Sequence, residues 1–295
     1  MVKKNKIIIT GGAGFVGTNL IKLLLKKTNY KIISIDNYSS GKKINHIKNV
    51  RVKYIKGETV NISKLIKNYK QIKSVFHFGE FARIYQSFIK TNECIESNSV
   101  GSNAVFNFCL KNKIKLIYSA TSASLGNKGK DKNLSPYAFS KAKNLEFLEN
   151  LKKWFDFKYE VIYFYNVYGP YQICSGEMST VIGIFEDHYK KRKPLPVVRP
   201  GTQTRRFTHI DDTINICYLA WRRNLCRHYS VASRKSYSII EVAKMFKSKI
   251  KFFPKRLGER YASSLIKENL SNKMYKYFGK IDLKNYVSNF IRENN

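Results

Sequence analysis

Apolar positions in the first half of the chain follow two periods in turn. Ile7, Ile8 and Ile9 form an unbroken β-branched run, the pattern of a strand buried on both faces of a parallel sheet. From Phe15 the spacing changes. Phe15, Val16, Leu20, Leu23 and Leu24 recur at helical intervals, with Lys22, Lys26 and Lys27 on the outside. The exchange then repeats. Strands are predicted over 31–35, 50–57, 72–78, 114–120 and 159–169. Helices are predicted over 60–70, 91–112 and 135–154, the second with Ile95, Val100, Val105, Phe106 and Cys109 facing inward. Such alternation predicts an α/β fold, a Rossmann-type doubly wound parallel sheet. After Gly169 the pattern breaks into shorter pieces. The expected division is a nucleotide-binding domain over 1–168 and a smaller C-terminal substrate-binding part over 169–295. The two are interleaved, with a helix near 211–224 packing back on the first.

Between the first strand and the first helix lie Gly11, Gly14 and Gly17. At such a joint, glycines permit a tight turn, close approach of a ligand and close helix–strand packing. The helix N-terminus offers unpaired N–H groups and a partial positive charge, which suits a diphosphate. The second predicted strand ends in Asp36, where a dinucleotide fold places the carboxylate that binds the adenosine ribose hydroxyls. A negative charge there repels a ribose 2′-phosphate, so NAD is expected rather than NADP.

Composition removes several alternatives. Hydrophobic residues make up 43% of the 295 and charged residues 25%, ordinary values for a folded globular chain. No apolar run is long enough to span a membrane, and the N-terminus leads into a strand without a signal-like apolar segment. The five cysteines show no metal-type spacing, and their odd number fits a reducing compartment, so a cytoplasmic protein is expected. His77 and His209 have no His or Cys partner at ligand spacing, and no metal is expected. The formal net charge of +35 raises nucleic-acid binding. Yet the lysines are scattered rather than gathered in an arm or stripe, so no specific nucleic-acid partner is expected.

The chemistry is expected in the middle. The fifth predicted strand runs into "SATSASLG", and Tyr137 and Lys141 follow four apart in "YAFSK". On a helix such a pair shares one face. An ammonium one turn from a phenol favours the phenolate and makes a usable general base near neutral pH. A Thr121 hydroxyl at the strand end could hold the same substrate oxygen.

These segments resemble the extended short-chain dehydrogenase/reductases, in particular nucleotide-sugar epimerases of the UDP-glucose 4-epimerase type. The resemblance runs from Lys6 to about Gly279. "TGGAGFVG" is similar to the family's NAD loop, which implies cofactor contacts from Gly11, Gly14, Phe15, Val16 and Gly17. Asp36, Asn37, Glu58 and Lys141 complete the implied NAD set. Thr121, Tyr137 and Lys141 match the catalytic positions. "NVYGP" resembles the segment whose Asn, here Asn166, touches the substrate diphosphate. "PGTQTRRFTHIDD" and "RLGE" resemble the blocks whose arginines, here Arg205 and Arg256, grip it. A homodimer through two long helices, around Val100 and Leu145, is also implied.

The chain departs from the family in places. His77-Phe78-Gly79-Glu80 replaces a usual His-Leu-Ala-Ala, and Arg83 is expected to pair with Glu80. Leu125 stands for a frequent Tyr, Tyr163 for a common Arg, and Gly57-Glu58 for Gly-Asp. Related 4,6-dehydratases carry Thr-Asp-Glu at the strand end, and decarboxylases a Glu two positions after the Thr. Here the residues are Thr121-Ser122-Ala123, with neither carboxylate. The resemblance therefore implies a C4 epimerase acting through a transient 4-keto sugar. A dehydratase or decarboxylase of the same family, or a silent NAD-binding scaffold, stands as the alternative.

Overall fold

The isoleucine run forms β1 (Lys6–Thr10), and Ile7, Ile8 and Ile9 are fully buried. Period-two geometry sends them to opposite sides. Ile8 joins one core cluster, while Ile7 and Ile9 join another. The structure, a computed structural model, describes residues 4–124, 132–258 and 274–294. After β1 come α1 (Phe15–Lys27), β2 (Lys31–Asp36), β3 (Val52–Lys56) and β4 (Ile72–His77). Next are α2 (Ser102–Lys111), β5 (Lys115–Thr121), α3 (Pro136–Phe155) and β6 (Tyr159–Phe164). Beyond Gly169 the chain returns to the sheet with α4 (Ile210–Arg223), β7 (His228–Ala232) and β8 (Met274–Phe278).

These strands form one parallel sheet in the order β8-β7-β6-β5-β4-β1-β2-β3. One face is covered by α2 and α3, through Val105, Phe106, Leu148 and Leu151. The other is covered by α1 and α4, through Leu20, Leu24, Ile214, Cys217 and Trp221. The Trp221 indole N–H donates to Ser74 Oγ at 2.8 Å, so α4 is fixed to β4 by a buried polar contact as well as by packing. A third cluster, with Phe185, Leu195, Val197, Val242 and Phe246, forms a smaller core around a parallel pair, Leu195–Val198 with Ile250–Phe253.

Two differences from the sequence pattern have local causes. β7 and β8 were not assigned by periodicity, since each is five residues long and mixes polar with aromatic positions. The helix expected over 91–112 is not uniform. A short α-helical piece, Thr91–Ile95, passes into a π-helical turn, Glu96–Gly101, before α2 begins. The wider turn rotates the apolar face. Val100, expected inward, is 51% exposed, whereas Val105, Phe106 and Cys109 are fully buried.

From β1 the chain runs to β2 on one side, while β4 pairs with its other edge. This is the topological switch point, and open α/β sheets bind ligands beyond the carboxyl ends of the strands there.

Candidate active site

β1 ends at Thr10 and must turn at once into α1. Gly11 makes the turn at φ +71°, which glycine adopts without a Cβ penalty. A Cβ on Gly17 would lie 2.1 Å from the Gly11 carbonyl oxygen, so only hydrogen fits where helix and loop touch. No side chain caps α1, and its first turn holds no acid. Its N–H groups and positive end are therefore available to an anion.

Asp36 closes β2 with its side chain buried. Its Oδ2 accepts from Ala13 N at 2.9 Å and its Oδ1 from Tyr38 N at 2.8 Å. Burial pushes the carboxyl up, and the two backbone N–H groups oppose that. Each oxygen keeps a lone pair for a ligand hydroxyl. Asn37 Nδ2 donates to Glu58 Oε2 at 3.1 Å, joining the ends of β2 and β3. One cleft of about 190 Å³ gathers Gly11, Gly14, Phe15, Val16 and Gly17 with Asp36, Asn37 and Glu58. Tyr137 and Lys141 line the same cleft. A wider cleft of about 990 Å³ shares Asn37, Glu58, Glu80 and Arg83 with it. The glycine cradle, the uncapped helix and the buried Asp36 fit a dinucleotide.

The start of α3 sets the position of Tyr137 and Lys141. Ser135 Oγ accepts from Ala138 N at 3.1 Å, and Pro136 opens the helix, a strong N-terminal signal. Tyr137 is 9% exposed and Lys141 3%. Thr121 ends β5, 8% exposed, with its Oγ1 accepting from Ala123 N at 3.1 Å. Ser119 and Ala120 of β5 line the cleft, and Thr121, which follows them, is not among its lining residues. Asn166, at φ +30°, donates to Arg206 O at 3.2 Å. Arg205 Nη1 donates to Thr204 O at 2.9 Å, and the Arg256 guanidinium lies 5.3 Å from the Tyr85 ring centre. Asn166, Arg205 and Arg256 do not line either cleft.

The departures at 77–83 resolve into a tight structure. Thr10 Oγ1 accepts the N–H groups of Phe78 at 3.1 Å and Gly79 at 3.0 Å. A Cβ on Gly79 would lie 2.8 Å from Gly11 N, so the glycine replaces a larger residue where two loops meet back to back. The expected Arg83–Glu80 pair does not form. Arg83 donates instead to the carbonyls of Met178 and, at 3.2 Å, Ser179. Glu80 turns inward to Lys141, forming an ion pair in which both side chains are under 5% exposed. The i,i+3 expectation assumed a helix, but the helix here, Ile84–Ile89, starts only after Arg83. In the sequence Glu80 stands out as a departure with Arg83 as its expected partner, and nothing there pairs it with Lys141. The signal for more was an acid beside a glycine in a segment leaving a buried strand.

Tyr163 is a core residue whose hydroxyl meets His228 Nδ1 at 2.8 Å. Leu125 and Gly126 lie outside the described residues. His209 caps α4, its Nδ1 accepting from Asp211 N at 3.2 Å. Among the described residues no helix is long and apolar enough to cross a membrane.

Residues 7–232 match the model of the NAD dependent epimerase/dehydratase family. The chain is 27% identical over 257 residues to an ADP-L-glycero-D-manno-heptose-6-epimerase of Brachyspira hyodysenteriae, covering 82% of this chain and 80% of that one. It is 26% identical over 268 residues to a dTDP-D-glucose 4,6-dehydratase of Dictyostelium discoideum, covering 81% of this chain and 61% of that one. The fold matches the crystal structure of a Thermotoga maritima UDP-glucose 4-epimerase with UDP-glucose at a TM-score of 0.86 and 22% identity, over 97% of both chains. With the family model spanning the whole glycine loop, the Tyr137–Lys141 helix and the sheet to β7, the chain belongs to the NAD-dependent epimerase/dehydratase family and its cofactor is NAD.

Proposed function

We propose that the protein is an enzyme that epimerises a nucleotide-diphosphate sugar at C4 through a transient 4-keto sugar. The observation that carries this reading is the convergence of Tyr137 and Lys141 with the dinucleotide cradle in one cleft. The names of the relatives, sugar-nucleotide epimerases and a dehydratase, support the substrate class. Ser122 and Ala123 support epimerisation over elimination, because the strand end carries no carboxyl to serve as an added acid or base.

When bound, NAD supplies a two-electron oxidant that returns to its starting state within the cycle. The Tyr137 oxygen takes the proton of the sugar C4 hydroxyl and later gives it back. The Thr121 hydroxyl holds the same oxygen. Asp36 accepts from the adenosine ribose hydroxyls, with Asn37 and Glu58 on the adenine side. Asn166, Arg205 and Arg256 bind the substrate diphosphate, which requires substrate to draw them towards the cleft. Tyr137→Phe keeps the ring and removes the proton carrier. Turnover of a UDP-hexose should fall by on the order of 10²–10⁴-fold, with NAD binding by calorimetry nearly unchanged. Wild-type turnover in this variant would contradict the assignment.

A further inference from the structure

Lys141 is not a lone cation beside Tyr137. Its Nζ donates to Glu80 Oε2 and, at 2.5 Å, to Ser119 O, and lies 4.6 Å from the Tyr118 ring centre. Glu80 in turn is surrounded by donors. Its Oε1 accepts from Ser102 Oγ at 2.8 Å, Tyr118 OH at 3.0 Å and Asn144 Nδ2 at 3.4 Å. An oxygen pair that only accepts is a carboxylate.

The chain of bonds behind Ser102 has a forced direction. Thr10 Oγ1 accepts two backbone N–H groups, so its own proton goes to His77 Nδ1, 2.7 Å away. His77 is fully buried and its pKa is pushed down to about 4 by that burial, so the ring is neutral. With Nδ1 accepting, Nε2 carries the hydrogen and donates to Ser102 Oγ at 2.9 Å. Ser102 must then donate to Glu80. A polarised chain from the nucleotide loop thus ends in a donor to the carboxylate, and hydrogen bonds along such a chain strengthen one another.

We propose that Glu80 is a positioning residue that holds Lys141 in a buried neutral pair and thereby sets the pH at which Tyr137 loses its proton. The proposal rests on the reading of Tyr137 as the proton carrier. The titratable groups that interact with the pair are His77 from β4, Tyr118 from β5 and Cys94 from the Thr91–Ile95 helix, and Tyr118 interacts in turn with Tyr137 on α3. Burial holds Tyr118 well above the ordinary phenol range and Cys94 up at about 11, so both are uncharged near neutral pH. Arg83 also interacts electrostatically with Tyr137. Glu80 is therefore the anion that offsets Lys141. Removing a negative charge makes a nearby phenol ionise at lower pH.

The test is a tyrosinate absorbance titration of NAD-loaded protein, with the Tyr137→Phe trace subtracted to isolate Tyr137. It is run in wild type and in Glu80→Gln, Glu80→Ala and Glu80→Asp. Ala is the residue usual in the resembling family. Gln and Ala should move the Tyr137 midpoint to lower pH by about one unit or more, the size of a removed close charge. Asp should leave it near the wild-type value. The readout needs no turnover, so an absent epimerase activity would sink the functional reading alone. An unchanged midpoint in Gln and Ala, or an Asp shift as large as theirs, would overturn the proposal. So would failure of both neutral variants to fold while Asp folds, since the carboxylate would then be a structural counter-ion only.

Discussion

Asp36 and Glu80 are two buried carboxylates close to one glycine loop, and their partners separate their roles. Asp36 accepts two backbone N–H groups and keeps a lone pair on each oxygen. Glu80 accepts three hydrogen bonds on one oxygen and the Lys141 ammonium on the other. The first is open to a ligand and the second is closed by its own protein. Asp36→Ala should therefore weaken NAD binding by at least about tenfold, since charge-assisted hydrogen bonds to two ribose hydroxyls are lost. Calorimetry with NAD and NADP checks it. Equal NAD affinity in the variant, or NADP binding better than NAD in the unmodified protein, would defeat the argument. Asp36 was legible from the sequence because its place follows from strand length and the glycine spacing. The partner of Glu80 was not, because Lys141 stands 61 positions later in the sequence, on a helix that only the fold brings beside it.

At the scale of elements, the joint between β1 and α1 carries the glycine turn at Gly11 and Gly17, and the helix α3 carries the Tyr137–Lys141 pair. Both were legible, since each is written in local residues: glycines at a strand end in one, a Ser-Pro start and i,i+4 spacing in the other. The π-helical turn at Glu96–Gly101 was not, because a run of apolar residues at near-helical spacing reads alike for either turn. The same holds for β7 and β8, whose place in the sheet comes from tertiary pairing with β6 and with each other. The glycine joint gives a sharp prediction. In Gly17→Ala the new methyl would sit 2.1 Å from the Gly11 carbonyl oxygen, and neither backbone can yield without opening the cradle. NAD binding should fall below detection by calorimetry, while far-ultraviolet circular dichroism keeps the helix and strand content of the wild type. Full NAD affinity in this variant would show that the loop does not hold the diphosphate.

For the whole molecule, the switch point between β1 and β4 places the clefts, and the net charge of +35 sets the surroundings. A field of that sign steers anionic nucleotides towards the protein. It also predicts weak duplex DNA binding that is indifferent to sequence and falls steeply with salt, because scattered lysines reach only phosphates. A sequence-specific complex that persists at moderate salt, seen by fluorescence anisotropy, would contradict this. α3 leaves Phe139, Trp154 and Phe155 exposed at 44%, 61% and 60%, and a homodimer through the helical segments around Val100 and Leu145 is the expected state in sedimentation. The central claim is that the sugar is oxidised and reduced at the same carbon. Its most direct test is magnetic resonance of the product formed by NAD-loaded protein from a UDP-hexose deuterated at C4. The account predicts the C4 epimer with deuterium still at C4 and the C6 hydroxyl intact. Deuterium recovered at C6 with loss of water, or exchanged into solvent, would contradict it.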